Sequence, residues 1–293
     1  MKLAAIDIGS NAARLLISDA QTNANGKAQF QKLNLVRVPL RLGFDVFENK
    51  FISPEKEIMI IKTIKSYKLL ADVYGVEYLK ACATSAMRDA TNGPAIIKRV
   101  REETGVDIEI ITGDAEASLI YENHIAENLD NDHSYLYIDV GGGSTELTFF
   151  ADGQLVFKRS FDIGTIRILK EQVDGAMWDE MRDFISRETR GHEGHMVAIG
   201  SGGNINKVFS LSKRKEGKPL QLDLLKDYLR ELSSFSLKER ITVYKLREDR
   251  ADVIVPAISI FINVMKWANI QEIFVPKIGL ADGLIQHLYH EVK

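Results

Sequence analysis

Two segments end an apolar run on a carboxylate and follow it almost at once with glycine: Ile6-Asp-Ile-Gly-Ser-Asn11 and Ile138-Asp-Val-Gly-Gly-Gly-Ser-Thr-Glu146. A strand delivers the acid at its end, and the glycines let backbone N–H groups approach an anion closely. The carboxylate can hold Mg²⁺ while the N–H groups cradle phosphate oxygens. A single turn of this kind is a common way to end a strand. Two at matching places, with a third Gly-rich turn at Gly200-Ser-Gly-Gly203, point to a phosphate-binding cleft between duplicated halves. The candidate phosphate contacts are Gly9, Ser10 and Asn11, then Gly141, Gly142, Gly143 and Ser144, and finally Gly202. Asp7, Asp139 and Glu146 would repel one another and an anionic substrate, and a hard divalent cation, Mg²⁺ or another, reconciles them. For Glu146, an ordinary exposed strand position is the alternative.

Other groups have two readings each. Glu116 could orient and deprotonate a water for in-line attack on a terminal phosphoryl group. It could equally be a first-turn helix residue, with Thr112 or Asp114 as the cap. Arg88, expected in a polar turn after an apolar strand, has a fork that could clamp two phosphate oxygens and stabilise transition-state charge, or pair with Asp89 at the surface. Lys213-Arg-Lys-Glu-Gly-Lys218, with Lys207 nearby, reads as a solvated loop or as a guide for a polyanion. His192 and His195 read as loop, and Cys82 as buried core.

The elements that must position these groups follow from patterning. Leu3–Ile8 is expected as a buried strand. Strands at 14–18 and 28–36 follow it, around a turn at Asn23–Gly26. Ser53-Pro54 opens a helix to Tyr74, with Ile58, Ile61, Ile64, Tyr67, Leu69 and Leu70 at helical spacing. A strand at 77–83, a helix near 94–104, a strand at 108–111 and a helix at 114–129 complete the first half. The second half has a strand at 134–140 and a hairpin pair at 146–150 and 155–159. A helix at 177–189, a strand at 196–199, helices from 222 to 267, a strand at 273–275 and a closing helix from Leu280 come next. The polar stretch Glu127–His133 marks the boundary. The expected domains are therefore 1–126, completed by the helix at 280–293, and 127–279.

The 293 residues carry 38 Lys+Arg against 41 Asp+Glu, a formal charge of −3 that argues against a dedicated nucleic-acid binder. With 45% hydrophobic and 27% charged residues, the chain is too apolar for intrinsic disorder. The nearly uncharged stretch from Val253 to Met265 is short for a spanning helix and holds Pro256, so no membrane association is expected. Only Lys2 precedes the apolar Leu3–Ile6, which is unlike a signal peptide. One cysteine excludes an internal disulfide and fits a reducing, cytoplasmic setting.

Several motifs in order resemble those of the exopolyphosphatase / guanosine pentaphosphate phosphohydrolase family. They are Asp7–Asn11 with Arg14-Leu15, Thr84–Asn92, Ile111–Ala117, Asp139–Glu146, Gly200–Gly203, Arg250–Pro256 and Ile278–Gly283. The resemblance implies two ribonuclease-H-like domains of the actin-like ATPase fold around a central cleft. It also implies metal-dependent removal of terminal phosphate from inorganic polyphosphate, with guanosine pentaphosphate as the alternative substrate. Glu116 would be the base, Arg88 a second catalytic group and Arg14 a phosphate contact, and a homodimer is common in that family. The chain departs from the family at Ala12, Ala115, Pro276 and Ala281-Asp282. Longer members continue into a helical domain, so a short two-domain form is implied. A kinase of the same fold and a non-catalytic phosphate or nucleotide sensor are the rival classes.

Overall fold

From Leu3 onward the first strand, β1 (Lys2–Ile8), is buried on both faces, which explains its unbroken apolar run. The structure, a computed structural model, describes residues 1–23, 28–119, 133–192, 196–276 and 278–293. The chain divides into two compact units, Met1–Asn123 with Gly279–Lys293, and His124–Ile278.

In the first unit β1 pairs antiparallel with β2 (Ala13–Thr22), and β2 with β3 (Ala28–Val38). On its other side β1 pairs parallel with β4 (Tyr78–Ala83), which pairs parallel with β5 (Ile108–Ile110). The sheet order is β3-β2-β1-β4-β5. Between β3 and β4 lie α1 (Gly43–Asn49) and α2 (Pro54–Tyr74); α3 (Ser85–Asp89) and α4 (Gly93–Thr104) separate β4 from β5. A further helix, α5, is described over 113–119.

Helix α2 spans the expected range, with proline in its first turn and Gly75 ending it in the left-handed region. Its core face is Ile60, Ile61, Ile64, Tyr67 and Ala71, whereas Ile58 and Leu69 are exposed. The helix has more apolar residues than one face can hold, so spacing alone did not separate them.

The second unit repeats the plan. β6 (Ser134–Val140) pairs antiparallel with β7 (Thr145–Ala151), and β7 with β8 (Gln154–Phe161). β6 also pairs parallel with β9 (Met196–Ser201), which pairs parallel with β11 (Glu272–Phe274). The short β10 (Leu220–Gln221) adds an edge, giving β10-β11-β9-β6-β7-β8. The helices here are α6 (Thr165–Leu169), α7 (Gly175–Glu188), α8 (Gly203–Ser212), α9 (Leu222–Ser234), α10 (Leu237–Val243), α11 (Glu248–Ala251) and α12 (Ile254–Trp267). Helix α12 is buried on most sides, which explains its low polarity. Among the described residues, no helix is long and apolar enough to cross a membrane.

The last helix, α13 (Leu280–Val292), belongs to the first unit. Its Leu280, Leu284, Ile285 and Leu288 pack with Leu3, Ala5, Leu16 and Ile111. Gly283 lets it approach α5, since a Cβ there would meet the Leu119 carbonyl oxygen at 2.0 Å. The expected turn at Asn23–Gly26, the helix beyond 119, most of the boundary stretch Glu127–His133 and His195 lie outside the described residues.

Candidate active site

The chemistry-bearing residues of each unit collect where the parallel strands end, the position at which open α/β sheets bind ligands. In the first unit Asp7 is buried next to the end of β1, and the turn closes with the Gly9 N–H donating to the Ala12 carbonyl at 3.0 Å. Ala12 thus takes part in the turn through its backbone. Ser10 shares a 2.8 Å hydrogen bond with Ser85, the first residue of α3, which ties this turn to the helix carrying Arg88.

Arg88 lies in α3, not in the polar turn expected for it. Its Nη1 donates to the Ile111 carbonyl at 2.8 Å. Glu116 sits one turn further along, buried in α5, where Thr112 Oγ1 accepts from the Ala115 N–H at 3.2 Å and caps the helix. Cys82 is buried as expected. Burial pushes its thiol well above the ordinary value, and the nearby carboxylates of Asp7 and Glu116 push it the same way.

The two sheets carry corresponding cross-strand rows at this level. In the first unit the row runs Arg37–Arg14–Asp7–Cys82; in the second it runs Ser160–Glu146–Asp139–Ser201. Arg14 Nη1 meets Asp7 Oδ2 at 2.6 Å, so a protein cation already faces the first acid. In the second unit the acid's antiparallel neighbour is another acid. Asp139 and Glu146 bring carboxylate oxygens within 4.8 Å of each other. Hydroxyls support both: Ser201 Oγ donates to Asp139 Oδ1 at 2.6 Å, and Ser160 Oγ to Glu146 Oε1 at 2.8 Å. Two adjacent carboxylates backed by hydroxyls form a hard-oxygen set that fits Mg²⁺ or a similar cation.

Gly202 has φ 101°, and a Cβ on it would come within 3.2 Å of Asp139 Oδ1, so glycine is needed beside that carboxylate. Gly203 opens α8 with the Arg250 guanidinium packed against it. The turn Gly141–Ser144 closes like the first, with the Gly141 N–H donating to the Ser144 carbonyl at 2.9 Å. Behind it lies α6, whose Arg167 Nε donates to the Gly143 carbonyl at 2.7 Å. Sequence reasoning missed Ser201, Ser160 and Arg167. The serines could have been found by aligning the strand ends in register, and Arg167 by noting that Gly164-Thr165 follows the hairpin where the first unit places α1.

Lys213 to Lys218 is exposed. Arg41 stacks on the Phe44 ring at 4.0 Å. His192 packs edge-on against Phe149.

Two ribonuclease-H-like units, each with a glycine turn after an acid-bearing strand, define a protein of the actin-like ATPase fold. Within that fold the chain belongs to the Ppx/GppA phosphatase family, whose profile matches residues 21–292. It is 36% identical over 175 residues to a bifunctional 3-dehydroquinate synthase/phosphatase of Fusobacterium nucleatum, covering 57% of this chain and 26% of that protein. To exopolyphosphatase 1 of Mycobacterium tuberculosis it is 30% identical over 171 residues, covering 58% of this chain and 48% of the other. The match thus spans half or less of these curated relatives. Among solved structures, an Aquifex aeolicus member of the Ppx/GppA family is 25% identical with a TM-score of 0.75, covering 100% and 99% of the two chains. An exopolyphosphatase from Cytophaga hutchinsonii, 24% identical with a TM-score of 0.82 over 100% and 99%, shares the fold.

Proposed function

We propose that this protein is a metal-dependent hydrolase that removes the terminal phosphate of inorganic polyphosphate. The observation that carries the reading is the divergence of the two duplicated rows. Where the first unit answers its acid with Arg14, the second sets Glu146 beside Asp139 and leaves a hard-oxygen pair for an external cation. Asp139 and Glu146 would hold the metal, with Asp7 oriented by Arg14. Bound there, a divalent cation would supply charge neutralisation for phosphate oxygens.

The N–H groups of Ser10–Asn11 and Gly142–Ser144 hold phosphate oxygens, the Gly9 and Gly141 N–H groups being spent on closing their turns, and Gly202 keeps the space beside Asp139 open. Arg88 stabilises developing charge on the transferred group. Glu116 accepts the proton of the attacking water as its oxygen bonds to the terminal phosphorus; the bond from that phosphorus to the bridging oxygen breaks, the shortened chain leaves with the bridging oxygen, and the terminal group is released as orthophosphate. Because water attacks the phosphorus directly, the reaction needs no covalent phosphoenzyme. The two domains that carry these groups are 1–126 with 280–293, and 127–279. Relatives named exopolyphosphatase support polyphosphate as the substrate, and guanosine pentaphosphate, which also ends in linked phosphates, is the second candidate.

The test is phosphate release from long-chain polyphosphate with Mg²⁺ by the wild type and Glu116→Gln, with guanosine pentaphosphate run alongside. The expected result is release that falls by about 10²–10⁴-fold in the variant while substrate binding persists. A folded wild type that binds both substrates and releases phosphate from neither would refute the hydrolase and leave a sensor or a kinase.

A further inference from the structure

Both glycine turns point carbonyl groups back into their own unit. In the first unit Ser10 O accepts from the Gly43 N–H at 2.8 Å, and Asn11 O from the Arg41 N–H at 2.9 Å. In the second, Gly142 O accepts from the Ile166 N–H at 2.8 Å, and Gly141 O from the Thr165 N–H at 3.1 Å. Counting from Asp7 and Asp139, Asn11 corresponds to Gly143. Asn11 O is held by a backbone N–H, but Gly143 O is held by a side chain, Arg167 Nε at 2.7 Å.

Arg167 is built into this place. It is 7% exposed, and its Nη2 also reaches Asp162 Oδ1 at 3.4 Å. The peptide that it grips lies against Gly164, where a Cβ would come within 2.4 Å of Gly143 C and 2.5 Å of Ser144 N. In a trans peptide the C=O of one residue and the N–H of the next point in opposite directions. Holding Gly143 O toward α6 therefore turns the Ser144 N–H away from it, toward the side on which an anion is received.

We propose that Arg167 is a positioning residue for the second phosphate turn. Its guanidinium fixes the Ser144 N–H toward a phosphoanhydride oxygen and places a buried positive charge behind the turn. This rests on the hydrolase reading for its substrate, but its own measurement is binding. In the duplicated first unit a backbone donor does the same task without charge, so the second turn is the one whose anion affinity depends on a side chain.

The experiment compares the wild type, Arg167→Gln and Arg167→Lys by calorimetric binding of tripolyphosphate with Mg²⁺, by KM and kcat for its hydrolysis, and by thermal unfolding. A charge-assisted hydrogen bond that acts on the bound anion alike in ground and transition states appears in KM more than in kcat. The expected result for Arg167→Gln is Kd and KM both raised about ten-fold with kcat within about two-fold. Arg167→Lys, which keeps the charge, recovers most of the affinity, and it carries the test if Arg167→Gln does not fold. Unchanged Kd and KM in a folded Arg167→Gln would overturn the proposal. So would losses in both variants that track only the folded fraction. A wild type that binds tripolyphosphate but releases phosphate from neither long-chain polyphosphate nor guanosine pentaphosphate refutes the hydrolase and leaves Kd to decide on Arg167. A wild type that does not bind tripolyphosphate overturns the Arg167 proposal.

Discussion

Replacing Gly164 by alanine tests whether the second glycine turn and α6 form one rigid seat. The added Cβ would lie 2.4 Å from Gly143 C, 2.5 Å from Gly142 O and 2.5 Å from Ser144 N. Ordinary van der Waals contact begins at 3.4 Å, and all of the atoms met belong to backbone that cannot rotate aside. The turn must therefore move by about 1 Å, a misplacement worth on the order of 100-fold in kcat/KM when it occurs among groups that position a reacting phosphate. Overpacking of this kind also costs about 1–3 kcal/mol of stability. The assay is phosphate release from tripolyphosphate well below the unfolding transition, with urea unfolding measured in parallel. Gly175→Ala is the control: it opens α7, and a Cβ there meets nothing within 4 Å. That substitution is expected to leave turnover unchanged and to add about 0.4–1 kcal/mol. Wild-type kcat/KM in Gly164→Ala, or an equal loss in Gly175→Ala, would refute the reasoning.

Two further predictions concern ionisation. The buried Cys82 thiol is raised well above its ordinary value, so a disulfide exchange reagent at mildly alkaline pH should label it only after unfolding. The unfolded thiol ionises first as pH rises through its ordinary value of about 8.5, which draws the protein toward unfolding; a Cys82→Ala comparison should show that pH-linked loss diminished. Burial pushes the Asp45 carboxyl up, but hydrogen bonds from Lys56 and Ser53 outweigh it and hold the group below its ordinary value. Its contribution is present above the unfolded pKa and is lost as pH falls through the folded one. The urea midpoints of the wild type and Asp45→Asn should therefore differ at neutral pH and converge in acid; a constant gap would show the carboxylate to be without influence.

Local signals carried much of this architecture into the sequence. Asp7-Ile-Gly and Asp139-Val-Gly could be read because a strand end, an acid and a glycine turn are neighbours in the chain. Helix α2 announced both ends through Ser53-Pro54 and Gly75. Short helices left no such trace: α1, α3 and α6 run only seven, five and five residues, too few to establish a period. Arg88 was consequently placed in a turn. What one unit's row makes of its acid depends on register across the sheet. The pairing of Asp7 with Arg14 and the backing of Asp139 by Ser201 join residues that become neighbours only once strands align. Arg167 was hidden for the same reason, since its partner Gly143 lies 24 residues earlier.

The first unit takes α13 from beyond the second unit, and that ordering bears on synthesis. Leu3, Ala5 and Leu16 are made at the outset, yet the apolar side of α13 that covers them comes after the whole second unit. At about 5–20 residues per second, the early strands wait roughly 15–60 s on the ribosome with that surface open. The second unit, contiguous in the chain, can finish its own core in that interval. The nascent first unit thus stays open until residues 280–293 emerge, and their docking closes it.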